Sequence, residues 1–226
     1  MFILLSPAKK LQAAQKGKTL PHFLKETLNI ANQLQTYSTS ELNQLLHTSQ
    51  NITAQNIQRY KSFNQNNLIQ DGTAALFTYA GDVYRYFDPA QFDKDAVEYI
   101  QSHFAIITGL YGILRPLDKM LPYRLEMKNK LYVEDTLLTH YWYKRLSSHI
   151  KTMIPTDSTP VVLLCSNEYS AAIDKSLLNT VSIEFKEQRD GELRTIAVNS
   201  KRARGMMAAF IVKHKAENIE DLIFEW

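Results

Sequence analysis

The chain is organised around one stretch, Ala105-Ile-Ile-Thr-Gly-Leu-Tyr-Gly-Ile-Leu-Arg-Pro-Leu-Asp-Lys-Met-Leu-Pro-Tyr-Arg-Leu-Glu-Met127. Its first four residues are typical of a buried strand, and the remainder is rich in apolar, aromatic and turn-forming residues. Two arginines and two carboxylates interrupt this background: Arg115, Asp118, Arg124 and Glu126. Because an unpaired buried charge is costly, these groups must pair or face a wet cleft. Two prolines restrict the backbone, so the stretch predicts a rigid, irregular loop that presents a functional site.

Apolar runs elsewhere predict the other strands. Phe2–Ser6 is typical of a buried strand that ends in a turn at Lys9, and Val161–Cys165 is a second continuous apolar run. A short strand is also predicted over Ala74–Tyr79. Val181–Gln188 and Leu193–Val198 alternate in polarity around an Asp-Gly pair, a pattern that predicts a β-hairpin.

Helical periodicity alternates with these strands. Apolar residues recur at helical spacing over residues 21–35, 93–104 and 136–153, and Ser200 is predicted to open a further helix. Ser38 and Glu41 have the spacing of a capping box. These elements predict one compact mixed α/β domain over residues 1–226, with the helices of residues 21–70 as a candidate subdomain.

Composition restricts the class of protein. The 226 residues are 45% hydrophobic, which is typical of a globular chain with one substantial core. No run approaches the roughly 20 apolar residues that span a bilayer, and one cysteine cannot form an internal disulfide. We therefore expect a cytoplasmic protein without a membrane partner. Histidine and cysteine spacing predicts no metal site, and no nucleotide-binding glycine pattern follows the first strand, so no cofactor is expected.

Positive charge is concentrated near the two ends of the chain. Residues 1–25 contain five lysines and no acid, and residues 201–215 contain five bases and no acid. Ten of the 26 lysines and arginines lie in these segments, which leaves 16 bases against 23 acids in the remainder. If the ends meet, they form a basic face for a polyanion; otherwise they are two separate solvated surfaces.

The acidic and aromatic residues beside these cations allow two interpretations. The carboxylates of Asp82, Asp118, Glu126 and Glu168 could perform acid–base catalysis, or they could orient neighbouring cations. The aromatic candidates for the lining of a cleft are Tyr84, Tyr123 and Tyr169. Their rings suit stacking on bases, whereas most such tyrosines pack in a core and satisfy their hydroxyls there.

Three further patterns bear on the chemistry of the chain. Ser6-Pro7-Ala8-Lys9 matches the Ser-x-x-Lys pattern of an acylating serine, but the elements that usually accompany it are absent, so a turn that aims Lys9 into a cleft is favoured. Cys165 ends an apolar run, where packing is favoured over a reactive thiol. Lys201 and Arg204 share one face near a helix start, a position that attracts phosphate, although a solvated helix face has the same pattern.

These motifs together resemble the YaaA family of bacterial peroxide-stress-resistance proteins. The matching blocks are Leu4–Lys9, Gly81–Tyr84, Thr108–Met127, Ser166–Tyr169 and Lys201–Met206. The resemblance implies an α/β fold particular to that family, with a positively charged cleft and a helix-hairpin-helix-like element on residues 40–62. It also implies binding to double-stranded DNA, protection from hydrogen peroxide and limitation of intracellular iron. The connection at 47–52 lacks the Gly-x-Gly usual in such a hairpin.

The resemblance also assigns roles to residues. The cleft cations that it implies are Lys9, Arg115, Arg124, Lys201 and Arg204, and its polar lining is Asp82, Asp118, Glu126, Glu168 and Tyr169. The leading hypothesis is therefore a DNA-binding protein of the oxidative stress response. Its competitor is an enzyme that acts on a nucleobase or nucleotide, because a DNA groove has little use for four nearby carboxylates.

Overall fold

A computed structural model of the chain describes residues 1–189, 192–194 and 197–223. The strands are β1 Phe2–Leu5, β2 Thr73–Ala74, β3 Phe104–Thr108, β4 Gly112–Leu114, β5 Lys119–Met120, β6 Tyr132–Val133, β7 Thr136–Leu137, β8 Val161–Leu163, β9 Thr180–Ser182, β10 Glu187–Arg189 and β11 Glu192–Arg194. The α-helices are α1 Leu24–Gln35, α2 Thr39–Leu46, α3 Gln50–Lys61, α4 Gln65–Asp71, α5 Ala75–Thr78, α6 Asp82–Phe87, α7 Lys94–His103, α8 Leu138–Met153, α9 Asn167–Ser170 and α10 Ala197–His214.

A five-stranded sheet of order β4-β3-β1-β8-β9 lies at the centre of this single α/β domain. β1 pairs in parallel with β3 and β8, β8 pairs in parallel with β9, and β4 is antiparallel at one edge. All four residues of β1 are buried, as expected for a strand covered on both faces. The loops after β1, β3 and β8 therefore leave the same edge of the sheet, where α/β proteins commonly place their ligands.

The helices of residues 21–70 share one hydrophobic core with this sheet. Leu42, Tyr60 and Phe63 belong to the same buried cluster as the residues of β1 and β3. The predicted capping box at α2 is confirmed, because Ser38 and Glu41 exchange hydrogen bonds between side chain and backbone. A three-residue connection with His47 at φ 49° joins α2 to α3, so residues 40–62 form a pair of adjacent helices.

The strand predictions for β1, β3 and β8 are confirmed, and others need correction. The predicted strand over Ala74–Tyr79 is wrong, because the chain turns into α5 after two residues. The predicted hairpin strands are shorter than expected: β10 and β11 pair antiparallel, while residues 180–182 join the main sheet as β9. The turn residues Asp190 and Gly191 lie outside the described residues. The last long helix begins at Ala197 rather than Ser200.

The loop predicted to be irregular contains two strands, and two glycines control its course. Gly112 has φ +68°, and a Cβ there would approach Trp142 to 2.6 Å, so glycine permits the reversal from β3 into β4. A Cβ on Gly109 would meet the Leu125 carbonyl oxygen at 2.7 Å. The backbone at residues 125–126 therefore packs directly over the end of β3, while β4 carries Arg115 back along the sheet.

Among the described residues, no helix is both long enough and apolar enough to cross a bilayer.

Candidate functional site

Glu126 is the centre of a charged group at the carboxyl end of the sheet. Its carboxylate lies 2.9 Å from Lys9 Nζ, 3.1 Å from Arg124 Nη2 and 3.4 Å from Lys128 Nζ. Lys128 also lies 3.9 Å from the carboxylate of Glu168. We call these five residues the Glu126 cluster. Three cations and two carboxylates from the first strand loop, the 124–128 loop and α9 thus meet at one place.

The Glu126 carboxylate is held in its charged form. Its side chain is only 9% exposed, and this burial alone would raise its pKa. The hydrogen bond and charge of Lys9, with the charges of Arg124 and Lys128, outweigh burial and lower the pKa of Glu126 below its ordinary value. At neutral pH this group therefore orients cations and accepts hydrogen bonds, and it has no proton to give as a general acid.

The loop that carries Glu126 is tied to the helical pair α2–α3. Glu126 N–H donates to Asn129 Oδ1 at 2.6 Å, and the buried Asn129 amide donates to the Leu45 carbonyl at 2.7 Å. The Tyr60 hydroxyl of α3 donates to the Arg124 carbonyl at 2.7 Å. These bonds fix the backbone on both sides of Glu126 against the end of α2 and the last turn of α3.

Buried tyrosines hold the same loops from below. Tyr79 and Tyr123 share a hydroxyl–hydroxyl bond of 2.9 Å, and the Tyr84 hydroxyl donates to the Ser6 carbonyl. Tyr123 also bonds to Thr108, and Tyr169 bonds to the backbone of Met127. Burial raises the pKa of Tyr123 to about 12. The three tyrosines proposed for a cleft lining are 4–8% exposed, so they lie beneath the loops and have no open ring face for a base.

The first loop places Lys9 without pairing it to Ser6. Ser6 Oγ accepts a hydrogen bond of 2.8 Å from Ser166 N–H, while Lys9 Nζ lies on Glu126. A lysine that acts as a general base must instead contact the serine hydroxyl. The geometry agrees with a turn that aims Lys9 toward other groups and gives no support to an acylating serine.

Arg115 and Asp118 form a different group, which we call the Asp118 turn. Asp118 is 2% exposed and accepts from Thr19 Oγ1 at 2.6 Å and from Arg115 N–H at 2.7 Å, while Arg115 Nε lies 3.7 Å from it. Burial raises the pKa of Asp118, and the two hydrogen bonds partly oppose that rise. The charge of Arg115 acts on His149, whose ring stacks on His22 at 3.5 Å. The structure thus gives Arg115 neighbours outside the Glu126 cluster.

The remaining candidates lie on α6 and α10. Arg204 lies close enough to Cys165, just after β8, for its charge to act on the thiol. Burial nevertheless raises the pKa of Cys165 to about 12, so the thiol is protonated at neutral pH. Lys201 is exposed one turn earlier on α10. Asp82 is exposed at the start of α6, beside Lys10 and Arg85 at a surface cavity of about 500 Å³.

The structure therefore brings Lys9, Arg124, Glu126 and Glu168 together and adds two cations that the sequence did not single out. Lys128 contacts both carboxylates, and Arg59 of α3 lies close enough to Arg124 for their charges to interact. The position of Lys128, two residues after Glu126, was the sequence signal that could have identified it. No such signal marks Arg59, because Arg124, the residue that it approaches, lies 65 positions later in the sequence. Within the described part of the chain, no group of three or more His, Cys, Asp or Glu side chains could hold a metal ion.

Comparison with known proteins identifies the family of the chain. The family described as peroxide stress protein YaaA matches residues 1–224. The chain belongs to this family. A UPF0246 protein from Francisella philomiragia is 34% identical over 98% of this chain and 91% of its own length. A UPF0246 protein from Francisella tularensis subsp. novicida is 33% identical with the same coverage. The match to the peroxide stress protein family thus covers nearly the whole chain.

Proposed function

We propose that this chain is a cytoplasmic protein of the peroxide stress response that binds double-stranded DNA on the surface around the Glu126 cluster. One observation carries the proposal: three cations from two separate loops converge on one carboxylate. With Arg59 beside Arg124, the group contains four cations and two carboxylates, which leaves a local net charge of +2. Phosphates of a duplex would be attracted to this excess of positive charge.

The carboxylates have a role in this proposal as positioning groups. Lys9 and Lys128 have side chains that are 61% exposed, and such chains would otherwise sample many rotamers. Pairing with Glu126 holds their ammonium groups at the surface, so less conformational entropy is lost when a phosphate arrives. Because Lys and Arg have several donors, each can keep its bond to Glu126 and donate to phosphate as well.

The proposed surface differs in extent from the one that the resemblance implied. Lys201 and Arg204 stay in it as flanking contacts, because Arg204 lies close to Cys165, next to the Ser166 that bonds to Ser6. Arg115 is left out, because its neighbours are Asp118 and His149. The family resemblance adds the expectation that DNA binding helps to limit DNA damage and intracellular iron.

Fluorescence anisotropy with a labelled duplex tests the proposal. Lys9→Gln with Lys128→Gln removes two exposed cations of the cluster, and affinity at low salt should fall by about tenfold or more. The control, Lys25→Gln with Lys151→Gln, removes the same charge from α1 and α8 near the His22–His149 pair and should change affinity less than about twofold. Equal losses in both double variants would mean that charge alone, and not this surface, decides binding.

A second candidate function is an enzyme that acts on a nucleobase or nucleotide. The favouring observation is Glu168, whose side chain is 22% exposed beside Lys128, at 3.9 Å, and which has fewer partners than Glu126. Such a carboxylate can serve as a general base. Incubation with nucleosides, nucleotides and damaged duplexes, followed by chromatography for released base, tests it. Turnover that disappears in Glu168→Gln while duplex binding persists would favour the enzyme, and absence of turnover with all substrates would reject it.

A further inference from the structure

Arg124 has donor groups that its neighbours do not use. A guanidinium has five N–H donors in a fixed plane, and Arg124 Nη2 donates to Glu126 Oε1 at 3.1 Å. Its Nε is buried and has no hydrogen-bond partner among the described residues. The Arg124 side chain is only 17% exposed, so bulk water does not replace the missing acceptor fully. A buried donor without an acceptor is rare and calls for an explanation such as an absent ligand.

Arg59 brings a second guanidinium to the same place. Its Nη1 donates to Asn56 Oδ1 at 3.3 Å, which is a neutral partner. Burial lowers the pKa of Arg59, the neighbouring Arg124 lowers it further, and Tyr60 opposes them; no carboxylate of the described residues contributes. Among the described residues, Glu126 pairs with Arg124 and not with Arg59, so the two arginines repel each other and a bound anion would reduce that repulsion.

Both arginines are held on fixed backbone. The Tyr60 hydroxyl donates to the carbonyl of Arg124 itself, which locks the last turn of α3 to the loop. Asn56, the partner of Arg59, is fully buried and donates to the Ile52 carbonyl within α3. The fold therefore fixes the backbone that carries each guanidinium group, as it does in preorganised anion sites.

We propose that Arg59 and Arg124 form a binding site for a single phosphate group. The inference rests on the proposed function, because it assigns a discrete phosphate contact within the same basic surface. Phosphate suits the pair better than carboxylate does, because it offers more acceptor oxygens and up to two negative charges to two planar donors. The phosphate could come from the end of a DNA strand or from a mononucleotide, since both present the same group.

The test is a ³¹P NMR titration of inorganic phosphate, and separately of dTMP, with the purified full-length protein. The wild-type protein should give a saturable shift, and Arg59→Gln should weaken binding by about tenfold or more. Lys61→Gln is the matched control, since it removes one charge from the same helix two residues away, and it should stay within about twofold of wild type. Arg124→Lys keeps the charge but loses Nε and the planar fork, so it should also weaken binding.

A non-saturable shift in the wild-type protein, or equal binding by Arg59→Gln and Lys61→Gln, would overturn the site. Near-ultraviolet circular dichroism checks that each variant is folded. If Arg124→Lys does not fold, the comparison of Arg59→Gln with Lys61→Gln still tests the site. Duplexes with 5′-phosphate and 5′-hydroxyl ends then identify the source: preference for the phosphorylated end assigns a strand end, and tighter binding of dTMP assigns a mononucleotide. Phosphate binding without duplex binding would reject the proposed function alone, whereas duplex binding without phosphate saturation would reject this site alone.

Discussion

Two arginine–carboxylate pairs arise from the same loop, and they have opposite environments. At the Asp118 turn, Arg115 and Thr19 surround a carboxylate that is 2% exposed and bonded mainly to a backbone N–H and a hydroxyl. At the Glu126 cluster, a carboxylate with 9% side-chain exposure is bonded to cations from two loops. Burial raises the pKa of Asp118, whereas the surrounding cations outweigh burial and lower the pKa of Glu126.

The comparison shows that partner identity, and not residue type, separates a structural carboxylate from one at a candidate binding surface. The Asp118 oxygens close a turn and hold Thr19 beside it, and the one cation at this turn, Arg115, lies 3.7 Å from Asp118 with a side chain that is 46% exposed. Glu126 is bonded to lysines and an arginine, and each of these has more N–H donors than its bond to Glu126 uses. Only the second arrangement brings several cations to one carboxylate, and so only the second is proposed to contact DNA.

Removal of each carboxylate should give the largest difference between the two regions. Asp118→Ala leaves Arg115 N–H and the Thr19 hydroxyl without their acceptor, and the free energy of unfolding should fall by about 3 kcal/mol. Glu126→Gln keeps the shape of the side chain, and its two lysine partners can return to water, so the loss should be about 1 kcal/mol or less. Urea denaturation followed by tryptophan fluorescence measures both. Similar losses in the two variants would erase the proposed distinction.

The tyrosines beneath the Glu126 cluster should be stabilising in proportion to their hydroxyl bonds. Tyr123→Phe removes the partner of the Tyr79 hydroxyl and the bond to Thr108, and unfolding free energy should fall by about 1–2 kcal/mol. Tyr132→Phe is the control, because Tyr132 is 61% exposed, and its effect should stay within about 0.5 kcal/mol. If Tyr123→Phe left the free energy of unfolding unchanged in urea denaturation, the hydroxyl bonds of Tyr123 would not stabilise the loop.

The two arginines should differ in their effect on DNA. Arg124→Gln removes a guanidinium of the Glu126 cluster, and duplex affinity at low salt should fall by about five- to tenfold. Arg115→Gln removes the same charge from the Asp118 turn, and the change should be less than about twofold. Anisotropy titrations of the two variants side by side measure this. A larger loss for Arg115→Gln would restore the broader cleft that the family resemblance implied.

The pH dependence of stability contributed by His149, near Arg115, is a further difference between the two regions. Burial, with the charges of His22 and Arg115, lowers the pKa of His149 from its ordinary value of 6.5 to about 4 in the folded protein. The unfolded chain therefore binds the extra proton first, and stability present above pH 6.5 is lost as pH falls toward 4. In His149→Gln, urea midpoints should decline less between these pH values. An identical decline in the wild-type protein and the variant would contradict the assignment.

The sequence predicted the parts of the fold that depend on local pattern. The apolar runs of β1, β3 and β8 are continuous because parallel strands are buried on both faces. β4 was missed because its strand character depends on one glycine at φ +68° that reverses the chain against Trp142. The same reversal separates Arg115 from Arg124. The local sequence of the loop therefore could not show that Arg115 and Asp118 form one site while Arg124 and Glu126 belong to another.

The candidate site was predicted in part for a similar reason. Lys9, Glu126 and Glu168 follow or face the ends of neighbouring strands, and the sequence predicted those strands, β1, β3 and β8. Arg59 was missed because its approach to Arg124 depends on how α3 docks, through a tyrosine hydroxyl, on a carbonyl 64 residues away. Hydroxyl partners of this kind leave no periodic signal in a sequence.

The salt dependence of duplex affinity tests the central claim most directly. If Lys9, Arg59, Arg124 and Lys128 each neutralise one phosphate, the slope of log affinity against log salt should be about −3.5, from about −0.9 per phosphate. Lys9→Gln with Lys128→Gln should make that slope about 2 units less negative, while Lys25→Gln with Lys151→Gln should leave it unchanged. A wild-type slope near zero, or the same slope in both double variants, would contradict DNA binding at the Glu126 cluster.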